Sequence, residues 1–75
     1  MVTACQTITV PAPVGTTYAA ADGSTPVGTV VCEGGYTYTI AGWNSSLHKY
    51  QLHMAGTSSG SDIYVAYNFI TIGTC

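Results

Sequence analysis

The sequence has almost no charge. Asp22, Glu33, Lys49 and Asp62 are its only fixed charges, 5% of 75 residues, and arginine is missing altogether. An ordinary soluble domain carries about 25%. Nucleic-acid binding needs clustered Lys and Arg to neutralise phosphates, and one Lys excludes it. Polybasic attachment to a membrane surface fails for the same reason. Long apolar runs are missing too: none approaches the ~20 residues of a transmembrane helix. The opening MVTACQTITV has no basic n-region and no continuous apolar h-region, so no signal peptide is visible. Met1 is expected to be a natural start, or else to stand in place of a removed leader.

The short-spaced Cys pairs of a structural zinc site are absent, because the three Cys lie at positions 5, 32 and 75. His48 and His53 are five apart, so on a strand they face opposite sides. No residue pattern activates any Cys as a nucleophile. The three scattered acids give no local support for a carboxylate pair of the glycosidase kind. The expectation is a protein without catalytic residues, metal or cofactor.

What is present is apolar and β-forming. Hydrophobic residues make up 47% of the chain and six residues are Tyr, so the chain can fold despite its low charge. A domain this small buries only about 60–65% of its unfolded surface. Burial and chain entropy nearly cancel at that size. Extra support is therefore expected from a disulfide, an oligomer, or both. The surface must be built from Thr, Ser, Gly and Asn rather than from the charged coat of a free monomer. Such a surface suits an extracellular setting or a subunit covered by its neighbours.

Period two dominates, and no window sustains a helical period. Strands are predicted over QTITV (6–10), TVVC (29–32), YTYTI (36–40), HKYQLHM (48–54), IYVAY (63–67) and NFITI (68–72). Turn chemistry separates them: PAPVG, DGSTP, EGG, the NSS at 44–46, and GTSSGSD. This pattern predicts one all-β domain over 1–75, a small barrel or sandwich of five to six short antiparallel strands. The segment 48–54 alternates, with His48, Tyr50, Leu52 and Met54 on one face and Lys49, Gln51 and His53 on the other. Both His are read as strand-surface side chains.

Tyr18, Tyr36, Tyr38, Tyr50, Tyr64, Tyr67 and Trp43 are dense for so short a chain. Tyr36, Tyr38 and Tyr50 are expected to fill the core. The thin core cannot hold every ring, and Tyr18, Trp43, Tyr64 and Tyr67 are the candidates for contact with a partner or a sugar. Asn44-Ser45-Ser46 matches the N-glycosylation acceptor, a match that also arises by chance in turns.

The order GTTYAAADGSTPVGTV, EGGYTYTIAGW, HKYQLH, DIYVAYNFI resembles a bacterial SH3-like domain over roughly residues 6–72. The Val27-Gly28-Thr29 step, the Gly35–Ile40 alternating strand and the aromatic in Ile63-Tyr64-Val65 carry the likeness. The resemblance implies a barrel whose first and last strands lie side by side and antiparallel. Cys5 would then approach Cys75, with Cys32 left free or reaching another chain. A bridge closing a long loop contributes roughly 3–4 kcal/mol in the chain-entropy model.

These readings lead to an expected non-enzymatic structural or interaction module within an assembly of protein subunits. Its concrete form is a phage virion surface protein of the decoration, cement or tail-associated kind. The alternative is a secreted SH3-like module that binds cell-wall peptidoglycan or glycan.

Overall fold

The computed structural model describes residues 17–75. The strand expected over 6–10 and Cys5 lie outside the described residues. Among the described residues five antiparallel strands form one sheet: β1 (Val30–Glu33), β2 (Tyr36–Asn44), β3 (Lys49–His53), β4 (Ile63–Ala66) and β5 (Thr71–Ile72). Among the described residues the helical pieces are two single 3-10 turns, Ser59–Ser61 and Tyr67–Phe69. The all-β class read from the alternating runs is the observed one.

β1 to β4 run as a meander, and each connection has a local cause. Gly34 and Gly35 both take positive φ, 61° and 90°, and close a two-residue hairpin between the paired Glu33 and Tyr36. This is the primed turn whose twist matches the flanking strands, and Gly adopts it without a Cβ penalty. After β2, Asn44 Oδ1 accepts from the backbone N–H of Ser46 and of Leu47, both at 3.0 Å. His48, at φ 55°, then turns the chain into β3.

The strand order is β4-β3-β2-β1-β5, so the chain must pass from one edge to the other between Ala66 and Thr71. A flat sheet would place those edge strands about 19 Å apart, at ~4.8 Å per strand. Five residue steps reach at most about 18 Å when fully extended, and here part of the link is coiled into the 3-10 turn Tyr67–Phe69. The sheet therefore curls, as in a small barrel. Ile70, in the crossing, is fully buried. This crossing is why the run predicted as a strand over 68–72 keeps only Thr71 and Ile72 in strand geometry. The described chain starts beside the same edge: Tyr18 bridges Thr71 antiparallel, and Ile72 N–H donates to the Thr17 carbonyl at 2.8 Å.

The concave side holds the core: Ala19, Val31, Ile40, Tyr50, Leu52 and Ile70, with Tyr38, Trp43, Ile63, Val65, Tyr67 and Ile72 packed against it. β3 alternates as its sequence predicts, Tyr50 and Leu52 inward and Lys49, Gln51 and His53 outward. β2 does not keep strict alternation. Its register against β3 shifts between Ile40 and Gly42. Ala41 is the extra residue of this bulge, so inward positions run Tyr38, Ile40 and then Trp43, which pairs with Tyr50. Their rings meet at a centroid distance of 4.4 Å. Tyr36, expected in the core with Tyr38 and Tyr50, is 61% exposed instead, because it sits at the hairpin end beyond the reach of the core.

The loop before β1 is strapped onto this sheet. Ala20 N–H donates to Thr25 Oγ1 at 2.7 Å, the Tyr50 hydroxyl donates to the Ala20 carbonyl at 2.6 Å, and it accepts from Thr25 N–H at 3.3 Å. Gly23, at φ 80°, lies on the face of Trp43, and a Cβ there would fall 2.4 Å from the indole. Gly23→Ala combines left-handed strain with overpacking and is expected to cost about 2–3 kcal/mol. Urea unfolding followed by Trp43 fluorescence measures it, and a loss below half a kcal/mol (roughly the noise of a neutral surface change) would contradict this packing.

A disulfide joins Cys75 to Cys32, with Cα atoms 5.5 Å apart; Cys5, the partner expected for Cys75, lies outside the described residues. Cys32 is on β1, directly beside β5, where it pairs with Thr71. Gly73, at φ 115°, reverses the chain after β5, and its N–H donates to the Val30 carbonyl at 2.8 Å. The tail thus folds back over β1 and sets Cys75 against Cys32.

Candidate functional site

The side of the sheet away from the core carries the most organised polar cluster among the described residues. The register sets Gly42 beside Gln51 and Gln51 beside Tyr64, a row across β2, β3 and β4. The next row holds Thr39 and His53, and Asp62 immediately precedes β4. Their polar atoms form a chain. The Tyr64 hydroxyl donates to Gln51 Oε1 at 3.2 Å, Gln51 Nε2 donates to Asp62 Oδ2 at 2.8 Å, and His53 Nδ1 lies 2.7 Å from Asp62 Oδ1. An ionised Asp62 carboxylate only accepts, so the short contact puts the proton on His53 Nδ1 and leaves Nε2 as the acceptor of the neutral ring.

Asp62 is thereby covered: its side chain is 5% exposed, against 32% for His53. The hydrogen bond from His53 and then that from Gln51 hold its carboxyl below the ordinary value of 3.8. A lowered carboxylate stabilises the fold above its unfolded value and ceases to do so as pH falls through its folded value. Acid unfolding therefore draws on this cluster only below pH 3.8. In Asp62→Asn that contribution is absent, so stability between neutral pH and pH 3.8 is lower and the acid transition shallower; circular dichroism against pH checks both. Elsewhere, burial pushes the Glu33 carboxyl upward, and the hydrogen bonds from Ser24 lower Asp22.

The four aromatics singled out from sequence fall in different places. Tyr64 is 51% exposed on the outer face. Trp43 is half-buried between Gly23, Tyr50 and an edge-on His48, 6.0 Å between ring centroids. Tyr67 packs against the core, and Tyr18 is half-buried where it bridges β5. Tyr36 and Phe69 join Tyr64 as exposed rings. His48 sits in the turn and His53 on the outer face, so the structure does not bring the two His together. Among the described residues no group of three or more His, Cys, Asp or Glu is arranged to hold a metal ion.

Gln51 and Asp62 are the members of the cluster that sequence reasoning passed over. Their signal was present: Gln51 shares the polar face of β3 with His53, and Asp62 ends a Ser/Gly turn directly before the next strand. Comparison of the chain with family models, curated proteins and solved structures gives no match.

Proposed function

We propose that this domain is a non-enzymatic interaction module that works inside an extracellular protein assembly, in its concrete form a phage virion surface protein of the decoration, cement or tail-associated kind. The observation that carries the reading is its surface. Among the described residues Val27, Val30, Tyr36, Leu47, Tyr64 and Phe69 are large, apolar and exposed, six side chains against a buried hydrophobic set of seven. A chain with four charged residues has little to keep such a surface apart from others. Edge strand β4, Ile-Tyr-Val-Ala, carries none of the charges that usually discourage strand addition, and among the described residues no strand pairs with its far side. Contacts made by such a surface are apolar and main-chain, so salt should not break them. Mass spectrometry of particles from the source, purified through a gradient in high salt, tests this: the protein stays with the particles. Its recovery only in the soluble fraction would contradict the reading.

A second reading, a secreted module binding cell-wall glycan, is favoured by one specific observation. An exposed ring, Tyr64, lies in register beside the polar Gln51 and diagonal to His53. Catalysis is not part of either reading. Asp62 is hydrogen-bonded by His53 and Gln51, and Gln51 in turn by the Tyr64 hydroxyl, which orients the cluster.

A further inference from the structure

We infer that the outer-face row Gly42–Gln51–Tyr64, with His53 beside it, is a subsite for one neutral hexopyranose ring of a glycan. The inference rests on the second reading above and gives it a location. A sugar ring offers an apolar C–H face and a rim of hydroxyls that each donate and accept. The row offers the complement. Tyr64 supplies a half-exposed ring held by its hydroxyl on Gln51 Oε1 at 3.2 Å. Gln51 has given one amide hydrogen to Asp62, and its second has no partner among the described residues. His53, with Nδ1 turned to Asp62, presents Nε2 as an acceptor. The cross-strand diagonal from Tyr64 to His53 spans about 7–8 Å between backbone positions, the reach of one ring. Because the cluster is already hydrogen-bonded to itself, little side-chain freedom is lost on binding.

Gly42 is an independent sign. It stands inside a strand, where Gly weakens the sheet, and its φ is not in the left-handed region that would require it. The bulge residue is Ala41, while Gly42 is back in register with Gln51. A Cβ at Gly42 would lie 3.2 Å from Gln51 Oε1, over the acceptor the sugar would meet. Gly here keeps the floor of the row open. The ligand is neutral because the one charge in the cluster, on Asp62, is covered and shared between His53 and Gln51. Lys49, one row further along β3 on the same face, is the other charged group near it.

The test is an amide chemical-shift titration of the oxidised protein with chitotriose and with maltotriose. Binding should perturb Gly42, Gln51, His53 and Tyr64 together. Tyr64→Ala and Gly42→Ala should each weaken it by about tenfold or more, with spectra otherwise native. Gly42→Ala leaves every hydrogen bond donor of the cluster in place, so its loss of binding separates a blocked floor from a lost fold. Shifts that map elsewhere and survive both substitutions would overturn the subsite while leaving the glycan reading standing. No shift with either oligosaccharide would overturn both.

Discussion

Opening the Cys32–Cys75 bridge, by reductant or by Cys75→Ala, is expected to lower stability by about 4 kcal/mol. The bridge spans 43 residues, and closing a loop of that length removes about this much entropy from the unfolded chain in the chain-entropy model. A domain of this size has a total stability of only ~4–11 kcal/mol, so the loss decides whether it stays folded at physiological temperature. The native side loses as well. The bond also fixes the tail after Gly73, where the Cys75 N–H donates to Thr37 Oγ1 at a long 3.4 Å. Thermal unfolding with and without reductant should differ by about 15 °C or more. Equal melting temperatures would mean that the bridge does not constrain the unfolded chain.

Tyr50→Ala is expected to be comparably severe, about 3–5 kcal/mol. Tyr50 is fully buried, packs at a tilt against Trp43, and its hydroxyl is the clasp between the sheet and the loop over residues 20–25. Tyr50→Phe separates these roles. It keeps the ring and removes only the clasp, leaving the Thr25 N–H without its partner and the Ala20 carbonyl with the Gly23 N–H alone, at 3.3 Å. That variant should lose about 1–3 kcal/mol and open the loop locally, so amide exchange at Gly23 and Thr25 should rise more than at Leu52. A uniform rise across the sheet would show that the hydroxyl holds the whole core rather than the loop.

The strands were legible in the sequence wherever one face was buried and the other wet. The centre of the run 48–54 shows this best, because Tyr50 and Leu52 point inward and Lys49, Gln51 and His53 outward, whereas His48 and Met54, expected on the inner face, fall in the turn before the strand and just after it. The Gly34-Gly35 turn was legible for a different reason: its dipeptide suits one backbone geometry. What could not be read was whatever depends on distant partners. The bulge at Ala41 moves Trp43 to the inner face, and its neighbours in sequence do not announce it. The end of β5 is set by the need to cross a curled sheet, which the apolar run 68–72 does not encode. The pairing of Cys75 with Cys32 follows from β5 lying beside β1, together with the reversal at Gly73. The outer-face cluster was half visible: His53 stood out by its rarity, whereas Asp62 counted only as one scattered acid until the register of β4 set it against His53.

The proposed function has this domain associate with other protein chains through its apolar, nearly uncharged surface. Light scattering on size-exclusion eluate of the oxidised, never-reduced protein, taken over a range of concentrations, checks this. The expected result is a mass above the 7.7 kDa of one chain, rising with concentration and unchanged by added salt. A stable, soluble particle of one chain at every concentration would contradict the assembly reading and leave the glycan-binding module as the better account.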